Sequence, residues 1–477
     1  MKKMNLLVMS LVSAAALSFT SCSDSEDLAG NSQNKVDKFY MTLTVQTPTS
    51  NGTRTALKNN FAATTEESDV TSGRFYLVDA KGNIVFKHDI SKEEWAEKKN
   101  PTKGTNGKTT LQVPVENVTA GTTYSVYFLA NTTSESPLTD VFTSDNKFAT
   151  AYSTANNFAM FNQNDAEVKG NSHTVVFKSD NKDANSPAKV SSTINIERLT
   201  ARIDEPKSAA TTIQPYAVDA TASDEEKKAN ANAVKAVKSL KLTSYAISNV
   251  ANKTNVMQQW ADATTLSIPT GITYFQPTTE FGTKTLLQNY NYFNAVTTDK
   301  SLKDYVFENN SANAATSMYF EYTVELSDDY KTNRDFEDGT FYRYNKVIYS
   351  SIQAIIDAHK DVAIFDGKDA ATVVAELKAA KDDTTNRETK LDEFRKKYDI
   401  EVFNAGKTYY VQKIQDQYLG VTNTIQRNSI YLLNVKNIFN VGAQVPNGGP
   451  DDRPLYYLDV EVSVNPWVLN EQSVDFK

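Results

Sequence analysis

The sequence predicts a mostly β protein, built as two antiparallel β-sandwich domains with a small helical insert in the second. Three observations carry this reading. Several segments alternate apolar and polar residues with a period of two, among them GRFYLVD, TTYSVYFLAN, HTVVFKS, SMYFEYTVEL and SIYLLNVKNI. Tyrosine (24) and phenylalanine (23) are abundant beside many threonines, side chains that suit a pleated, half-buried surface. Strand-like and helix-like stretches do not alternate regularly, which favours antiparallel sandwiches over a parallel sheet. At 477 residues the chain is long enough for two or more domains with real cores.

Residues 1–21 read as a signal peptide: two lysines, a mostly apolar run from Leu6 to Leu17, then small residues, too short for a spanning helix. Cys22 is the only cysteine, and FTSC resembles a bacterial lipobox, in which the thiol takes a diacylglycerol and the preceding peptide bond is cut. The bland alternative is a stray thiol. On the lipid reading the mature chain keeps no thiol, so disulfides are excluded in an exported protein. Losing Lys2 and Lys3 with the signal takes the formal charge from −8 to about −10, which argues against nucleic acid and against a basic membrane-binding face.

The first strand is KFYMTLTVQ, in which Phe39, Met41, Leu43 and Val45 face one way and Tyr40, Thr42, Thr44 and Gln46 the other. Extended at about 3.3 Å per residue, it spans roughly 26 Å, enough to cross a sandwich sheet. Burying four apolar side chains at roughly 1.5–3 kcal/mol each contributes on the order of 6–12 kcal/mol before ordering entropy is subtracted. Removing the strand would leave an apolar groove. The polar run TPTSNGTRTALKNN that follows reads as a protease-accessible loop with Arg54 as its only arginine. An ordinary first strand and an ordinary loop fit the same local pattern.

Further along, SDNKDANSPAKVSS (179–192) reads as the domain linker and SDEEKKANANA (223–233) as a solvated insertion. Between Tyr344 and Tyr398 the period turns helical, with Val347, Ile348, Ile352, Ile355 and Ile356 on one face, Asp369 capping a second helix and RETKLDEFRKKY forming a third. The resulting organisation is an N-terminal domain reaching residue 192 and a C-terminal domain over 193–477 carrying the insert 344–398.

The sequence lacks a GxSxG elbow, a P-loop, an HExxH helix and a nucleophilic cysteine, and His88, His173 and His359 share no metal-ligand spacing. DFEDG (335–339) lacks the alternating ligands of a calcium loop, and a solvated turn accounts for it. No catalytic residue, metal or cofactor is expected, which shifts weight from an enzyme towards binding or assembly.

The chain closes with YYLDVEVSVNPWVLNEQSVDFK. Leu458, Val460, Val462 and Val464 make one apolar row, and Trp467, Leu469, Val474 and Phe476 supply anchors beyond an Asn465–Pro466 break. Such a strand can close its own sheet or add itself to a neighbour's groove. The sequence leaves both open.

Taken together, the lipobox at Cys22 followed by the acidic SDSED, KFYMTLTVQTP ahead of Arg54, INIERLTARI, GKTYYVQKI, QRNSIYLLNVKNIFNVG and VEVSVNPW resemble the fimbrillins of Bacteroidales, the type V pilins, most closely shaft subunits of the minor (Mfa-type) fimbria. The resemblance implies two transthyretin-like β-sandwich domains and export as an outer-membrane lipoprotein. It further implies that an arginine-specific trypsin-like protease cuts after Arg54, with Lys58 as a nearby alternative site, so that 22–54 is a lipidated propeptide and Thr55 begins the mature subunit and its N-terminal domain, 55–192. Phe39 to Val45 would then be the displaced strand, and Val460 to Phe476 of another copy the donor. Partners would be further copies, accessory tip and anchor subunits, and the membrane before cleavage. Adhesion and biofilm formation would follow. The readings left beside it are a tip or anchor subunit, and a monomeric surface glycan-binding lipoprotein using Trp95, Trp260 and Trp467.

Overall fold

The computed structural model describes residues 37–48, 61–98, 107–145, 148–164, 170–217, 221–275, 293–360, 363–414, 416, 419, 423–446 and 458–468. The period-two segments form strands, because alternating side chains put one face of each against a core and the other towards water. In the N-terminal half the strand order is Lys108–Val115, Phe39–Gln46, then Ala188–Lys189 and Ile194–Arg198 on one edge, Met160–Asn162, Thr123–Ala130, Gly73–Val78 and Ile84–Ile90. Residues from both ends of this order share one core: Met41, Leu43, Leu111 and Val113 pack in the same cluster as Phe75, Leu77, Val126 and Phe128.

The C-terminal half is a two-sheet sandwich. One sheet runs Phe61–Ala62, Leu458–Val468, Ser429–Ile438, Ala201–Asp204, Lys303–Val306; the other runs Asn294–Ala295, Val237–Ser248, Ser317–Leu326, Lys407–Lys413. Tyr431, Leu433 and Val435 from the first meet Leu240, Tyr245, Phe320 and Tyr322 from the second in one buried cluster. Helices Ile352–Ala358, Ala370–Asp382 and Arg387–Tyr398 pack with strands Phe341–Tyr344, Val347–Tyr349 and Glu401–Phe403 around their own core, which includes Ile355, Leu377, Leu391 and Val402. Arg343 ties this insert to the sandwich, pairing with Glu401 while donating to the carbonyl oxygens of Val441 and Gly442 at 2.8 and 3.1 Å.

The mostly β class stands, and five local expectations are corrected. The sheets are mixed: the first strand runs parallel to 188–189 and 194–195, a pairing that only a long connection can make. The segment 179–192 is part of the N-terminal sheet, since Ala188 and Lys189 pair with Met41 and Thr42 and Asn181 is buried, donating to Ser186 O at 2.8 Å. After the brief excursion of Phe61–Ala62 into the C-terminal sheet, the chain passes to the C-terminal half beyond Arg198, at Leu199 and Thr200. The segment 223–233 lies in helix Asp224–Ala236: Ser223 accepts from the Glu226 amide, Glu226 answers to the Ser223 amide, and Ala233 and Ala236 are fully buried. Val347 and Ile348 sit in a strand paired with Tyr344 and Arg343, and the helix begins only at Ile352 behind its Ser351 cap. Finally, strand Leu458–Val468 continues through Asn465 and Pro466; Pro466 stands opposite Ser429, the last ladder position, where its missing N–H costs least.

Candidate functional site: an embedded first strand and its surroundings

Phe39, Met41, Leu43 and Val45 are all at most 2 % exposed, while the residues between them are half-buried. The strand is held along both edges. On one side all eight residues pair antiparallel with Lys108–Val115, Phe39 opposite Val115 and Leu43 opposite Leu111; on the other, Ala188–Lys189 and Ile194–Asn195 run parallel to it. The Phe39 ring meets Phe177 edge-on, with centroids 5.5 Å apart, and the Thr44 and Thr110 hydroxyls bond at 2.9 Å. Lys108–Val115 pairs with no other strand among the described residues. The first strand therefore joins it to the rest of the sheet, and its departure would open a slot with a backbone ladder on either side and an apolar floor.

Cys22, Arg54, Thr55, Lys58, Leu469 and Phe476 lie outside the described residues. Val460, Val462, Val464 and Trp467 lie on strand Leu458–Val468, which is seated in its own chain's sheet. Val460, Val462 and Val464 stand in register opposite Val435, Leu433 and Tyr431, all three buried in the C-terminal core. Trp467 and Val468 are in parallel register with Phe61 and Ala62. The structure thus does not bring the first strand and the closing strand together: they occupy different sheets.

Immediately downstream of strand Phe61–Ala62 is a buried ionic cluster that the sequence reading missed. The Glu67 carboxylate, on the short helix Thr65–Ser68, accepts from Arg202 Nη1 at 3.0 and 3.1 Å, Lys303 Nζ at 3.1 Å, Tyr305 Oη at 2.8 Å and the Thr64 amide at 2.9 Å. Burial by itself would raise its pKa, but Arg202, the Thr64 amide, Tyr305 and Lys303 outweigh it and hold the carboxyl at about 2. Arg198, fully buried, donates from Nε to Glu67 O at 2.6 Å, from Nη2 to Ser68 Oγ at 2.7 Å and from Nη1 to Asn428 Oδ1 at 2.9 Å. Thr64 and Glu67 of TTEES, an acid three residues after a helix cap, are the one visible signal of a charge worth placing.

A second set of contacts joins the same halves. Strands Val141–Thr143 and Lys253–Asn255 pair, and Val256 is buried among Tyr76, Leu129 and Phe161. Arg427, 0 % exposed, pairs with Glu308 at 2.8 Å and donates to the Val256 and Asn255 carbonyl oxygens. Of the tryptophans, Trp95 is buried and stacks on Phe128, and Trp260 is half-buried with its Nε1 donating to Asn164 O at 2.6 Å. No group of three or more metal-ligating side chains occurs among the described residues, and none of their helices is long and apolar enough to cross a membrane.

This geometry defines a class: a β-rich protein whose opening strand is an inner strand of its sheet and whose closing strand completes another. Residues 401–473, which include that closing strand, match the family described as major fimbrial subunit protein type IV, Fimbrillin, C-terminal. Among solved structures, the chain is similar to two candidate cell adhesion proteins from Parabacteroides distasonis, at 11 % and 12 % identity, TM-scores 0.47 and 0.44, covering 91 % of this chain and 98 % and 100 % of theirs. A fimbrial assembly protein from the same organism aligns at 11 % identity and TM-score 0.31, over 61 % of this chain and 82 % of its own. No curated protein matches the chain.

Proposed function

We propose that the protein is a fimbrial subunit, structural rather than enzymatic, that builds the shaft by protease-triggered strand exchange. It is exported as a lipoprotein held in the outer membrane through Cys22. An arginine-specific trypsin-like protease cuts after Arg54, Phe39–Gln46 leaves, and the closing segment of another copy, around Val460 to Phe476, fills the slot. Tip and anchor subunits complete the fimbrium, and adhesion and biofilm formation are its consequences.

The observation that carries this reading is the first strand's position. Four buried side chains and two hydrogen-bonded edges make it a part whose loss creates a specific vacancy, and a seated replacement would leave very slowly. The match of residues 401–473 to the C-terminal family of major fimbrial subunits supports it. The engagement of Trp95 and Trp260 in packing and hydrogen bonding weighs against a glycan-binding platform.

The test is digestion of the purified precursor with an arginine-specific protease, followed by N-terminal sequencing and electrophoresis without heating. A single cut with Thr55 as the new terminus, and oligomer ladders that disappear in Arg54→Ala, are expected. A stable cut monomer that retains its first strand would return the protein to the monomeric surface-binding reading.

A further inference from the structure

We propose that the junction between the two halves is a clamp that keeps the N-terminal core folded while its first strand is absent. The inference rests on the reading that Phe39–Gln46 can leave. Losing an inner strand ordinarily unravels a small sheet, because the strands on either side lose a ladder and the core loses its floor. Here the C-terminal half supplies part of that core. Ile430 is fully buried in the same cluster as Phe39, Met41, Leu43 and Val45, and Tyr305 and Leu432 pack against it.

The bonds named in the Glu67–Arg198 cluster beside this shared core do not run through the first strand. Arg198 ends the strand Ile194–Arg198, which pairs with Met160–Asn162, itself paired with Thr123–Ala130. Its guanidinium is fastened to Glu67, Ser68 and Asn428, and the Glu67 carboxylate is fastened to Arg202, Lys303 and Tyr305 of the C-terminal sheet. None of these partners belongs to residues 39–46. With the clamp closed, departure of the first strand frees Lys108–Val115, which has no other strand partner among the described residues, and leaves the ladder from Ile194–Arg198 to Gly73–Val78 anchored. With the clamp open, the two events merge.

Hydrogen exchange on the full chain separates them, using Leu43→Ala to loosen the strand and Glu67→Gln to open the clamp. In Leu43→Ala, the amides of Lys108–Val115 should exchange about tenfold faster, with those of Thr123–Ala130 near their original rate. In the double variant both sets should accelerate by about tenfold or more, beyond the product of the single effects. Tyr305→Phe, which removes a single hydroxyl from the cluster, should give the same pattern at smaller size if Glu67→Gln does not fold. If Leu43→Ala leaves Lys108–Val115 unmoved, the removable-strand reading itself fails. If the two sets accelerate together while Glu67 is in place, or if opening the clamp adds nothing, the clamp is overturned.

Discussion

Glu67 gathers an arginine, a lysine, a tyrosine and a backbone amide around a carboxylate whose side chain is 3 % exposed. A charge so placed is costly to strip of its partners, because the partners keep their own desolvation cost. Glu67→Gln should therefore destabilise the protein by about 3–5 kcal/mol, measured by urea unfolding at pH 7. Its pH dependence has a definite sign. The folded-state pKa of about 2 lies below the ordinary 4.5, so the carboxylate's contribution is complete above 4.5 and is lost as pH falls towards 2. The gap in stability between the original chain and Glu67→Gln should be constant from pH 7 to 5 and shrink across that acid window. A gap that closed near neutrality would assign the effect to another group. At this scale the sequence exposed one side of the contact only: alternation in INIERLTARI puts Arg198 and Arg202 on strands, but Glu67 stands 131 and 135 positions away from them.

Elements were legible where the local signal agreed with the tertiary demand. The first strand's period-two pattern and the Asp369 cap are both read directly from the sequence, and Asp369 Oδ1 accepts from the Thr372 amide at 2.8 Å. Asp369→Ala should cost about 1 kcal/mol, with the loss confined to the amides of Ala370–Asp382 in hydrogen exchange. Helix Asp224–Ala236 was obscured by its charges, although Ser223 and Glu226 carry the reciprocal cap and small residues at 229, 233 and 236 mark a buried stripe. Alanines gave that stripe little hydrophobic weight. Strand Val347–Tyr349 was misread as helix because a short apolar run fits either period, and only the antiparallel pairing with Phe341–Tyr344 decides between them.

At the scale of the molecule, the two halves share material. Ile430 belongs to a C-terminal strand yet lies in the N-terminal core, while its neighbour Tyr431 lies in the C-terminal one. Ile430→Ala should thus cost about 2–5 kcal/mol and speed exchange in both halves, where a substitution confined to one core would speed exchange in one alone. The sequence by itself determined the β-rich class, the inward row of Phe39, Met41, Leu43 and Val45, and the presence of a helical insert, because each is written in the spacing of neighbouring residues. It also supplied two alternating strands at the ends of the folded chain without saying where either pairs. Only the tertiary structure decided that the first lies between an antiparallel and a parallel neighbour, that the last sits in its own chain's second sheet, and that Glu67 and Arg198 fasten the halves together. Strand partners and buried ion pairs are chosen by long-range packing, for which side-chain periodicity along the chain holds no address.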